Sequence, residues 1–168
     1  MNRNNRASDE IFRREATIGQ QYAELVAARL TEHGINAEAT ELTFAETEEQ
    51  IADYEDEQDV LLDTGQCVEV KSRNLDFGAD PRSFPYTTAF VDTVAGWRKK
   101  KNKPVAVVFV SRTTNEMLVV MGDTDSQWGH VKKFDRIRKH YDTFHIVPRK
   151  SLLPFDTAVE EIRKRLDG

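Results

Sequence analysis

The sequence predicts an α/β fold, a mixed central sheet flanked by helices, and three stretches carry that reading. An amphipathic helix from about Asp9 to His33 opens the chain. A polar β-hairpin fits Asp59 to Lys71. The apolar run Val105 to Val110, just after Pro104, suits a central strand buried on both faces.

In chain order, Ser8 offers the first helix an N-cap, Asp9 and Glu10 suit its positive end, and Gly34 stops it. Ile11, Ile18, Tyr22, Leu25, Val26 and Leu30 form its apolar stripe. A strand is expected after Gly34, running to Phe44. Glu46 to Glu57, with seven acids and no base, reads as a solvated loop or short helix. In the hairpin, Val60-Leu61-Leu62 is apolar, Asp63-Thr64-Gly65-Gln66 is turn chemistry, and Cys67 to Lys71 alternate. A loop from Asn74 to Pro85 leads to an expected helix from about Tyr86 to Lys101, with Phe90, Val94 and Trp97 on one face. Met117 to Met121 and Thr143 to Val147 read as further strands. Pro154 opens a closing helix with Phe155, Val159, Ile162 and Leu166 on one side.

A length of 168 residues predicts one domain with a real core. No apolar run reaches membrane length and no signal-peptide pattern opens the chain, so a cytoplasmic protein with no membrane partner is expected. The single cysteine, Cys67, excludes an internal disulfide and thiolate zinc clusters. The net charge of −5 argues at first against a nucleic-acid partner. Its distribution argues the other way: residues 1–63 hold 16 acids and 5 bases, whereas residues 64–168 hold 13 acids and 19 bases. One electropositive surface is enough to steer a phosphate backbone.

The hairpin carries the chemistry. Alternation sends Cys67, Glu69 and Lys71 to one face of its second strand. Asp59 joins them if the loop has three residues with Gly65 left-handed, pairing Asp63 with Cys67 and Leu61 with Glu69. Two carboxylates at that range can hold a hard cation such as magnesium, which needs only one or two protein carboxylates and keeps waters. A lysine one pleat away can orient or deprotonate a metal-bound water and stabilise charge growing on a phosphate. The plainer alternative is a polar rim in which Lys71 only pairs with a carboxylate.

The spacing Asp59-x9-Glu69-x-Lys71 resembles the core motif of the PD-(D/E)xK nuclease superfamily, with Gln58 where a proline often stands. The resemblance implies a restriction-endonuclease-like α-β-β-β-α-β core over roughly residues 9–111, with residues 112–168 as a C-terminal elaboration. It implies a magnesium-dependent deoxyribonuclease, with manganese as a substitute metal and DNA as partner. Asp59, Glu69 and Lys71 are then catalytic, and Asp59, Glu69 and Val70 (through its backbone) are metal positions. A homodimer is left open. A noncatalytic nucleic-acid-binding or regulatory protein on the same fold is the alternative.

Many members of that superfamily add a glutamate from the first helix. The spacing of Gly19, Leu30 and Gly34 puts that position at Ala23, so Glu15, within the apolar stripe, is favoured over Glu24 as a metal contact or an arginine partner. For DNA, Arg73 follows Lys71 on the same face and suits a phosphate contact. Arg98, Lys99, Lys100, Lys101 and Lys103 form one basic tract, with favourable placement at a helix C-terminus as its plainer explanation. Lys132, Lys133, Arg136, Arg138 and Lys139 form another, interleaved with Trp128, Phe134 and Tyr141. That interleaving suits unpaired bases. The helical spacing of Val131, Phe134, Ile137 and Tyr141 instead favours buried aromatics. None of His33, His130, His140 and His145 has metal-ligand spacing.

Overall fold

The computed structural model describes residues 3–40, 59–136 and 139–167. In chain order the elements are α1 (Arg3–Glu32), β1 (Ala37–Ala39), β2 (Val60–Leu62), β3 (Cys67–Arg73), β4 (Thr88–Thr93), α2 (Val94–Lys99) and β5 (Ala106–Ser111). Then come β6 (Met117–Met121), β7 (Gly129–Asp135), β8 (His140–Pro148), β9 (Leu153–Pro154) and α3 (Phe155–Asp167). Among the described residues, one sheet of six strands runs β1-β2-β3-β5-β6-β9 and a second of three runs β4-β8-β7. Only β3 and β5 pair in parallel, so the larger sheet is mixed, as the sequence predicts.

Every residue of β5 is buried because both faces of its sheet are covered. Ala106, Val108 and Val110 point to the helices, meeting Val26 and Leu30 of α1 and Val159 and Ile162 of α3. Val107 and Phe109 point to a second core with Ala89, Val91, Trp97, Trp128 and Val147. The parallel register sets Glu69 beside Val107 and Lys71 beside Phe109. Glu69, Lys71 and Arg73 therefore leave β3 on the face toward the smaller sheet, and Val68, Val70 and Ser72 on the helix face.

Gly34 ends α1 as expected, at φ +85°, with Ile35 N–H donating to Leu30 O at 2.9 Å and Gly34 N–H to Thr31 O at 3.0 Å. This is a Schellman ending, and Leu30 and Ile35 are both buried beside it. The start differs: Ser8 lies inside α1 instead of capping it, and Ile11 is 64% exposed instead of joining the stripe. Among the described residues nothing buries that part of the stripe, so its period outruns the core. The strand expected up to Phe44 is β1 in its described part; residues 41–58, with the acidic run Glu46 to Glu57, lie outside the described residues. No helix among the described residues is long and apolar enough to cross a membrane.

Two expected helices are corrected. Tyr86 to Lys101 is not one helix but β4 followed by the six-residue α2. Thr88 to Phe90, and Asp92 and Thr93, pair with β8, where burying Ala89 and Val91 outweighs the helical spacing of Phe90, Val94 and Trp97. The spacing of Val131, Phe134 and Tyr141 is also not helical: these residues lie on β7 and β8, and Ile137 is outside the described residues. Trp128 is buried as expected, whereas Phe134 is 43% and Tyr141 65% exposed, because the hairpin runs past the core it covers.

Candidate active site

β2 and β3 pair as Val60↔Val68 and Leu61↔Cys67, so the three-residue loop is kept but holds Asp63 to Gly65, and the register moves by two residues from the expected Leu61↔Glu69. Gly65 is left-handed, at φ +89°, and Leu62 N–H donates to Gln66 O at 2.8 Å. A register change of two residues preserves side-chain parity, so Asp59 still falls on the face of Glu69. It now lies opposite Glu69 instead of Lys71. Just before β2, the Asp59 carboxylate accepts from the next backbone donor of β3, with Val70 N–H donating to its Oδ2 at 2.9 Å. In a strand the N–H and C=O of one residue share an edge, so the Val70 carbonyl turns toward Asp59 as well.

Lys71 Nζ lies 2.6 Å from Glu69 Oε1. Lys100 Nζ lies 3.6 Å from Glu69 Oε2 and 3.9 Å from Asp92 Oδ2. Glu69 is only 12% exposed, yet its Oε2 is buried with no hydrogen-bond partner. Buried carboxylate oxygens normally have donors, so this atom has unused capacity for a cation or a water. Burial, and next the charge of Glu69 against the pull of the Val70 N–H, hold the Asp59 carboxyl above its ordinary range. These groups line a cleft of about 320 Å³, closed by Lys101, Asn102 and Pro104.

Sequence reasoning missed Asp92. A β-bulge between Phe90 and Asp92 sets Asp92 opposite His145, on the inward face shared by Ala89 and Val147, with its Oδ2 3.9 Å from Lys100 Nζ. Asp92 Oδ1 accepts from Thr93 N–H at 2.7 Å, and Thr93 caps α2 by accepting from Gly96 N–H at 2.9 Å. A Cβ on Gly96 would lie 2.7 Å from Thr93 Oγ1 and 3.1 Å from Asp92 Oδ1, so glycine keeps room for both. The available signal was an aspartate and a threonine, both capping residues, directly after the β-prone Thr88 to Val91.

The basic tract divides. Lys100 and Lys101 line the cleft, so Lys100 belongs to the acidic site as well as to any DNA face. Lys103 donates to Trp97 O and Lys100 O, capping the negative end of α2 as the plainer explanation holds. Arg98 and Lys99 are exposed. Lys132, Lys133 and Arg136 are exposed on or beside β7, away from α2. Arg73 is partly buried, and burial, then Arg112, press its guanidinium below the usual arginine range.

Glu15 does not join Asp59 and Glu69. Arg112 Nη2 donates to Glu15 Oε2 at 3.1 Å, and Arg112 Nε to Ser72 Oγ at 3.1 Å. Ser72 belongs to the helix face, so Glu15 is spent on an arginine across the sheet from the cleft. Glu24 is exposed and Ala23 is buried in the core, so neither replaces it. Among the described residues no group of three or more His, Cys, Asp and Glu could hold a metal, which leaves the two carboxylates Asp59 and Glu69. No protein-family model, curated protein or solved structure matches this chain, and its chemistry is read from these residues alone.

Proposed function

We propose that the chain is a magnesium-dependent nuclease that hydrolyses phosphodiester bonds in DNA, on a restriction-endonuclease-like core of the PD-(D/E)xK type. The observation that carries it is the meeting of Asp59 and Glu69 beside Val70, with a Glu69 Oε2 that has no hydrogen bond and Lys71 at 2.6 Å. The order α1, β1, β2, β3, α2, β5, with β5 parallel to β3, supports the core, although β4 intervenes and α2 is short.

The donor set fits magnesium. Asp59 and Glu69 offer hard oxygens, the backbone at Val70 offers a third, and magnesium needs no more than this with its retained waters. Bound there, the ion would acidify a water and draw charge from the phosphate, and manganese would substitute. Lys71 presents an ammonium at the mouth of the pair, where it orients the attacking water and balances charge on the phosphate oxygens. Arg73, next on the same face, uses one N–H on Ser72 O at 3.0 Å and has further donors for a non-bridging oxygen.

Lys71→Ala should lower cleavage by about 10² to 10³-fold while manganese still binds in a calorimetric titration. Loss of both would leave Lys71 a structural ion-pair partner. That outcome belongs to the second reading, a noncatalytic nucleic-acid-binding module in which Lys71 and Glu69 only pair with each other. Lys100→Ala should act with opposite signs on two ligands. Manganese should bind more tightly, because a competing cation leaves Glu69 and Asp92. DNA affinity should fall, and its salt slope should flatten by about one unit if Lys100 meets a phosphate. Parallel changes in both affinities would refute this placement of Lys100.

A further inference from the structure

β3 leads out of the cleft into a second and larger concavity. Two residues beyond Lys71, about 7 Å along the strand, Arg73 enters a groove of about 500 Å³. Its other walls include Phe84, Tyr86, Phe90, Phe109 and Lys133. Tyr86 stands at the rim, 59% exposed, with its ring edge-on to Phe84 at 6.5 Å. Lys133 lies over Phe90, its Nζ 4.9 Å from the ring centroid. Among the described residues no carboxylate lies within ion-pair distance of Arg73 or Lys133, although the charges of Glu69 and Asp92 reach Arg73 from the cleft, so two cations border an aromatic floor.

We propose that this groove holds an unpaired nucleobase of single-stranded DNA, next to the phosphate bound at Asp59, Glu69 and Lys71. The inference rests on the nuclease reading and adds its substrate class. Rings at the rim and floor offer stacking faces, and the flanking cations suit the phosphates on either side of a stacked base. A base within a duplex is stacked on both faces and cannot enter such a groove without leaving its pair. An apolar peptide would also cover Tyr86 and Phe90, but would bring no charge to Arg73 and Lys133. On the other face of the β7–β8 hairpin from Lys133, the exposed Phe134 and Tyr141, with rings 5.2 Å apart and Lys132 Nζ 5.6 Å from Tyr141, show the same combination.

The test uses the full chain in EDTA, so that binding is read without cleavage. Anisotropy would follow a labelled oligothymidylate of about 16 nucleotides, and a duplex of the same length. The single strand should bind more tightly than the duplex. Tyr86→Ala should weaken the single strand by about ten-fold and the duplex little, while Tyr86→Phe, which keeps the ring, should restore binding. Tyr86 is exposed and its replacement should leave the circular dichroism unchanged; Lys133→Ala gives a second exposed probe of the same groove. Tighter duplex binding, or single-strand binding indifferent to both Tyr86→Ala and Lys133→Ala, would overturn the groove. Adding magnesium separates the two claims. Tyr86-dependent binding without cleavage defeats the nuclease reading alone, and cleavage of duplex indifferent to Tyr86 defeats the groove alone.

Discussion

Asp59→Asn should reduce DNA cleavage by about 10³-fold while the protein melts at the same temperature or higher. Asparagine keeps an oxygen for the Val70 N–H but removes a charge that burial and Glu69 already disfavour. A carboxyl raised above its ordinary range is one that the folded state resists ionising, so at neutral pH its charge opposes folding and neutralising it should help. Glu69→Gln should be equally inactive but less stable, because Lys71 and Lys100 lose their shared counter-charge in a partly buried site. Opposite stability effects with the same loss of activity would separate a functional carboxylate pair from a structural one. Cleavage assays and thermal melts on the two variants read this directly, and an Asp59→Asn enzyme as fast as wild type would remove Asp59 from the site.

Gly122→Ala should destabilise the protein by about 3 kcal/mol and lower its activity as well. Gly122 is buried at the end of β6, with its N–H donating to Val105 O at 2.9 Å. A Cβ there would lie 1.8 Å from Pro104 O, so the backbone itself must move. Pro104 forms a wall of the cleft, and Val105 N–H is tied to Cys67 O at 2.8 Å, so that movement reaches the site. Gly19→Ala is the contrast: no atom lies within 4 Å of its added Cβ inside α1, and alanine should add about 0.5–1 kcal/mol. Urea unfolding of both variants checks the pair, and equal shifts would contradict the geometry at Gly122.

What the sequence revealed was governed by short-range pattern. The buried run at β5, the strand Met117–Met121 and the closing helix after Pro154 lie where periodicity and proline put them. The face shared by Asp59 and Glu69 was legible although the register was not, since a change of two residues leaves strand parity intact. Long-range pairing governed the rest. Thr88 to Thr93 became a strand because β8 was there to pair with it, and Asp92 entered the site only through the bulge that pairing created. Glu15 fell within the stripe as counted and meets an arginine, one of its two expected partners, but which arginine depends on a contact with Arg112, remote in sequence. Phe134 and Tyr141 have helical spacing, yet sit on a hairpin arm that extends beyond the core.

Asp59 and Glu69 are proposed to make a metal-dependent hydrolytic site. It is tested most directly by incubating wild-type protein with end-labelled single-stranded and duplex DNA in magnesium, in manganese and in EDTA, with Glu69→Gln alongside. Fragments should appear with either metal, disappear in EDTA, return when magnesium is restored, and be absent with Glu69→Gln. Intact DNA under every metal condition, or equal cleavage by wild type and Glu69→Gln, would contradict it.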